Sequence, residues 1–173
     1  WPGSTVQGIG EDEHADLWLL SGEGVVLRLR DGFVLPRFKG IGREPGSTPE
    51  MVREPSGRLV VIRNGAVAAI HDGQWLLLGF DDSASYYTRI CPARAGGLWV
   101  VGVDYIRRWQ NDHWVEQAGA LPAGLSFATT MMETRSGQVL VGSIRDGLVL
   151  HEADGRNLSI STGDGLPDKW VTC

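Results

Sequence analysis

An all-β fold, a β-propeller of about four blades with four antiparallel strands each, is what three features of this 173-residue sequence predict. The first is an internal repeat of roughly forty residues. The second is the 24 glycines, about double the usual ~7%, with no collagen period and no Ser- or Gln-rich tract. The third is the absence of helical spacing: Gly or Pro interrupts every long candidate before apolar residues recur at i, i+3, i+4 and i+7. Many tight turns and no amphipathic stripe mean many short strands.

The repeat is plainest in SGQVLVGSIRDGLVL, residues 136–150. Its relatives are HADLWLLSGEGVVLRL (14–29), SGRLVVIRNGAVAAI (56–70) and AGGLWVVGVDYIRRW (95–109). Anchored on Leu17-Trp18, Leu59-Val60, Leu98-Trp99 and Val139-Leu140, the copies step by 42, 39 and 41 residues. A first strand, A, is marked by an apolar residue nine before each anchor's second member: Ile9, Met51, Ile90 and Met131. Strand B follows a turn and is apolar nearly throughout, as in Leu98 to Val101, which suits a strand covered on both faces. Strand C alternates in places, as in Leu27, Arg28, Leu29 and Arg30, so one face turns to solvent. A second turn then leads to strand D in RDGFVLPRF, HDGQWLLLG, QNDHWVEQA and ADGRNLSIS. Four strands in about 40 residues are the signature of a propeller blade.

The repeats run approximately 4–47, 48–86, 87–127 and 128–169, with a stub at 170–173. The closing GLPDKWVTC repeats the start of a blade, as LPAGLSFATTM does before the fourth. Propellers close with four to eight blades, and small rings need strong twist, so residues 1–173 are expected to be part of a seven- or eight-bladed ring. Four blades on their own leave two apolar faces bare, which predicts self-association, with two copies completing an eight-bladed ring.

The pattern of GLPDKWVT, SGQVLVGSIRDGL, AGGLWVVGV and EDEHADLWLLSGEGV resembles the two-component regulator propeller repeat, copy by copy over essentially the whole chain. The resemblance implies a propeller of the periplasmic sensor region of membrane-bound histidine kinases, frequently tied to polysaccharide use. It therefore implies a periplasmic or extracellular location, a sensor rather than an enzyme, and a small-molecule or oligosaccharide ligand. The second repeat departs from the pattern: Val60 stands for the Trp, and Ile62-Arg63 for the Gly turn.

A net charge of −5 without a run of Lys or Arg argues against a nucleic-acid partner. No apolar stretch reaches the ~18 residues of a membrane span, so any membrane link would run through other segments. The chain starts with Trp1 rather than Met, which reads as a piece of something longer; the lack of a signal peptide then leaves compartment open. Cys91 and Cys173 make neither a metal spacing nor a disulfide framework.

Trp18 and Trp99 share one register in strand B, and Trp75 and Trp114 share one in strand D. Such rings can stack on sugars, but repetition at one register marks wedges between blades. EDEHAD carries Glu11, Asp12, Glu13 and Asp16 without the alternate spacing of a calcium loop, so it reads as a solvated turn, as does Asp81-Asp82. His14, His71, His113 and His151 fall in four different blades, too far apart to share a metal. With GxGxxG, GxxxxGK[ST] and GxSxG all missing, no cofactor, metal or catalytic residue is expected. The B–C turns, on the same face as the D–A connections, carry different polar residues in each copy: Glu23, Arg63 with Asn64, Asp104, and Arg145 with Asp146. Loops on a rigid scaffold are where binding residues gather, so Glu23, Arg63, Asn64, Asp104 and Arg145 are the candidate ligand contacts. Two rival readings remain: a propeller lyase or glycosidase with its catalytic residues elsewhere, and a protein-interaction scaffold.

Overall fold

Alternating and continuous apolar runs become fifteen strands in a computed structural model that describes residues 5–35, 49–63, 66–80, 89–102, 105–121, 125 and 127–172. Blade 1 holds β1 (Val6–Glu11), β2 (Leu17–Ser21) and β3 (Val26–Arg28). Blade 2 holds β4 (Glu50–Arg53), β5 (Leu59–Arg63), β6 (Ala66–His71) and β7 (Gln74–Phe80). Blade 3 holds β8 (Arg89–Pro92), β9 (Leu98–Val101), β10 (Tyr105–Gln110) and β11 (His113–Ala120). Blade 4 holds β12 (Ala128–Glu133), β13 (Val139–Ser143), β14 (Leu148–His151) and β15 (Asn157–Ile160). Within each sheet neighbours in sequence are neighbours in space, and every pairing is antiparallel. These are the up-and-down blades of a β-propeller. The one helix among the described residues is a single 3-10 turn, Thr162–Asp164.

Among the described residues blade 1 holds three strands, and the described part of its fourth segment joins β3 through an isolated bridge between Leu27 and Val34. The A–B turns are alike in all four blades: the N–H of Asp12, Glu54, Ala93 or Thr134 donates to the carbonyl of the residue four further on.

Blades 1 and 2 belong to one compact unit, Trp1–Tyr87, and blades 3 and 4 to another, Thr88–Cys173. In the first unit Trp18 and Leu20 of β2 bury against Met51, Leu59, Val61 and Ile70 of blade 2. In the second, Trp99 and Val101 of β9 bury against Val139, Val141 and Val149 of blade 4. The rule is the same in both. The anchor's second member, and the residue two beyond it, turn towards the following blade; the anchor itself, and the residue two beyond it, turn towards the preceding one. Strand alternation dictates this, since successive side chains leave opposite faces. Each fully buried aliphatic side chain in these seams contributes on the order of 2 kcal/mol.

Trp18, Trp75 and Trp99 pack between blades, as their register predicts. Trp18 and Trp99 are buried, and Trp75 packs half-buried on the first seam. Trp114 stands edge-on to Trp109 in its own blade, with ring centroids 4.9 Å apart. EDEHAD is not the solvated turn its composition suggests. Asp12 and Asp16 are both buried, because Asp12 receives the Trp18 indole N–H at 2.7 Å and Asp16 pairs with Arg28 and Arg30 at 3.4 and 3.0 Å.

Candidate functional site

The candidate residues lie on the edge of the blades where strand B turns into strand C. In blade 1 Gly22 N–H donates to the Thr5 carbonyl at 3.1 Å, so the lead-in to β1 lies beside the B–C turn. In blade 4 Gly147 N–H donates to the Lys169 carbonyl at 3.1 Å and Val171 N–H to the Ser143 carbonyl at 2.9 Å. The D–A connections and B–C turns therefore share a face in both units, as chain direction requires.

Ser21 and Ser143, at the end of strand B in blades 1 and 4, are fully buried and organise these turns. The Ser21 hydroxyl accepts from Val25 N–H at 3.0 Å, and that of Ser143 from Asp146 N–H at 2.6 Å. Serine suits the place because a short hydroxyl can mimic a backbone acceptor. In blade 2 the same register holds Arg63, and the difference changes its role. Its Nη1 donates to the Glu23 carbonyl of blade 1 at 2.6 Å. Two candidate ligand contacts thus meet each other, and Arg63 is a tie between adjacent turns. Arg63→Ala is expected to lower stability by about 1 kcal/mol, the usual loss for one such hydrogen bond. Arg145→Ala, at an exposed turn position, should leave the melting temperature unchanged in the same thermal scans. Asn64 and Asp104 lie outside the described residues.

Arg145 is exposed, and the chain folds a second group beside its turn that was not among the sequence candidates. Trp170, in the connection that crosses the blade 4 turn, is 64% exposed. Phe127, at the lead-in to β12, is 63% exposed, with φ of +65°. A non-glycine residue held in the left-handed region costs about 1 kcal/mol or more and has to be fixed by its surroundings. The two aromatics are neighbours through the chain: the Thr129 hydroxyl donates to the Val171 carbonyl, two residues beyond Phe127 and one beyond Trp170. Phe127 stands just before β12, and Trp170 lies in the segment bonded to the blade 4 B–C turn. No shared spacing marks them, since Phe127 is two residues beyond Leu125 and Trp170 four beyond Leu166, so their exposure could not be read from the sequence.

A second concavity lies in the first unit, on the side of the C–D turns. It is an open groove of about 490 Å³ lined by Arg28, Phe33, Asp72, Gly73, Gln74 and Trp75. Its guanidinium is already committed, to Asp31 at 2.6 Å and Asp16 at 3.4 Å, and stacks over Phe33. The histidines do not cluster. His151 is buried and bonded to the Asn157 side chain at 2.8 Å, whereas His71 is exposed and lies 3.4 Å from Asp72. Among the described residues no three His, Cys, Asp or Glu side chains gather as metal ligands, and no helix is long and apolar enough to cross a membrane.

No known protein-family profile matches the chain, and no curated protein matches it in sequence. Solved structures do match in fold. A streptogramin B lyase superposes with a TM-score of 0.72 at 17% identity, over 97% of this chain and 59% of the lyase. An extracellular domain from B. thetaiotaomicron, assigned to a one-component system, gives 0.70 at 13% identity over 97% of this chain and 24% of that one. A second extracellular domain from B. thetaiotaomicron, assigned to a hybrid two-component system, gives 0.62 at 11% identity over 98% and 24%. At these identities the likeness establishes the propeller fold. The chain spans less than two thirds of each of these relatives, and only about a quarter of the extracellular domains.

Proposed function

We propose that this chain is a ligand-binding segment of an extracytoplasmic sensor propeller, and that it takes a small hydroxyl-rich ligand, an oligosaccharide, on the face of the B–C turns. The observation that carries the reading is the pair of exposed rings, Phe127 and Trp170, on the segments that run beside the turn of the exposed Arg145. An aromatic face stacks on the apolar face of a sugar ring, and a guanidinium donates to its hydroxyls. The repeat resemblance and the fold likeness to extracellular domains of signalling proteins support the same reading. A ligand there would signal by binding one arrangement of the parent protein more tightly than another.

Titration calorimetry against a panel of soluble oligosaccharides tests it. For the sugar that binds, Trp170→Ala and Arg145→Ala should each weaken affinity about tenfold, a typical loss for an aromatic or arginine contact. Unchanged affinity in both variants would remove this face from the reading. A second reading, a lyase, rests on the streptogramin B lyase likeness, and the same fold hosts unrelated chemistries. Turnover of any sugar in the panel would favour that second reading.

A further inference from the structure

The groove at the C–D turns of the first unit lies at the outer end of the seam between blades 1 and 2. There a row across blade 1, Trp18 then Arg28 then Phe33, faces a row across blade 2, Leu59 then Ile70 then Trp75. Trp18, Leu59 and Ile70 close the inner part of the seam and are buried. Phe33 and Trp75, at the outer ends of the two rows, stay partly open and line the groove.

The walls are held by the fold itself. The Phe33 carbonyl accepts the Arg28 N–H at 2.8 Å, and its own N–H donates to Asp31 Oδ1 at 3.0 Å. On the other side Asp72 and Gly73, with φ of +48° and +69°, make the tight turn from β6 to β7. A methyl group on Gly73 would lie 3.6 Å from Phe33 Cε1, so this turn and this ring stand close together. The seam between blades 3 and 4 shows that the repeat does not demand these groups. Arg108 pairs with Trp99 as Arg28 pairs with Trp18, but it donates to the Ala95 and Gly96 carbonyls. The register of Trp75 is held there by Asn157, whose side chain bonds to His151 at 2.8 Å.

The hydrogen-bonding groups of the groove narrow its ligand. Arg28 uses three N–H groups on Asp31 and Asp16, which leaves two of the five a guanidinium carries. Its charge is matched by those two carboxylates, so what it offers is donors rather than a net pull on an anion. The Asp72 carboxylate, 74% exposed with His71 Nε2 at 3.4 Å, can only accept when ionised, and Gln74 can both donate and accept. An anion would meet Asp72, and a cation would meet Arg28. Two aromatic rings with donors and acceptors beside them suit a neutral ring that carries hydroxyls.

We propose that this groove is a sugar-binding site. It takes one neutral monosaccharide unit against Phe33 and Trp75, with the hydroxyls on Arg28, Asp72 and Gln74. Its volume of about 490 Å³ lies in the range of small-molecule sites. The groove is separate from the B–C turn face, and neither site depends on the other.

Amide NMR spectra of the isotope-labelled chain test it. Glucose, galactose, mannose, xylose and arabinose are added singly to about 100 mM, where a millimolar site saturates, with glucuronate and choline as charged controls. At least one neutral sugar should move the Gly73 and Gln74 amides and the Trp75 indole N–H along a saturable curve. Phe33→Leu should weaken that sugar about tenfold, a typical loss for an aromatic contact. Asp72→Asn, which the left-handed turn position tolerates, should weaken it about threefold, the scale of one hydrogen bond. Both variants should keep the wild-type circular dichroism. No saturable shift at the groove with any neutral sugar would overturn the proposal, as would shifts with glucuronate or choline alone, or unchanged affinity in both variants. Shifts at Phe127 and Trp170 without any at the groove would overturn it too, and would leave the B–C face standing.

Discussion

Gly97→Ala should lower the unfolding free energy by about 3 kcal/mol or more, one of the two largest effects of a single substitution in this chain. Gly97 closes the A–B turn of blade 3 with φ of +79°, and its carbonyl accepts the Ala93 N–H at 3.0 Å. A methyl group there would sit inside the van der Waals shell of the Trp109 carbonyl oxygen, with the Gln110 Cα at 2.9 Å as well. Both are backbone atoms of the paired strand β10, so relief requires the turn or the ladder to move. Gly137 is the control. It belongs to the same turn in blade 4, with φ of +86° and nothing within 4 Å of the added methyl. Gly137→Ala should show only the conformational cost, about 1 kcal/mol. Urea unfolding of the two variants side by side separates the clash from the dihedral. Equal losses would mean that β10 yields freely and that the close approach is not what selects glycine.

The same turns show what the sequence carried and what it did not. Spacing revealed the blades, because strand alternation and the anchors Leu17, Leu59, Leu98 and Val139 are set by local chemistry and by repetition. It also revealed that Trp18 and Trp99, at one repeated register, wedge between blades. Two other features depend on partners distant in sequence. Arg63 looks like a free turn cation until its Nη1 is found 2.6 Å from the Glu23 carbonyl, forty residues upstream. Trp170 could not be placed on this face until the Val171–Ser143 backbone bond put it beside the blade 4 turn, where its ring is exposed. Arg145 stayed where its turn position put it, on the surface. The face was therefore legible from chain direction, and its members only in part.

Asp12→Asn should cost about 2 to 3 kcal/mol at neutral pH, and the cost should vanish as the solution is acidified. Asp12 is 7% exposed, and its Oδ2 accepts the indole N–H of the buried Trp18 at 2.7 Å. Its Oδ1 accepts from His14 and Asp16 N–H groups at 2.9 and 3.0 Å. Burial by itself would push the carboxyl up; the hydrogen bonds from Trp18, Asp16 and His14 outweigh it and hold the group below the ordinary carboxylate range. The sign of the linkage follows. A carboxyl lowered by folding stabilises above its unfolded pKa, near 4, and loses that contribution as pH falls through its folded value. Asparagine keeps one acceptor for the two backbone donors but turns an N–H₂ towards the indole N–H, leaving two donors face to face at a buried position. Because it does not titrate, the gap between the variant and the wild type should close as the wild type loses this contribution. The two curves should then converge as pH falls through that folded value, measured by urea unfolding from pH 7 downward. Parallel curves would mean that the carboxylate is bound no better in the fold than in water, and that blade 1 is held by the Trp18 ring and not by its N–H.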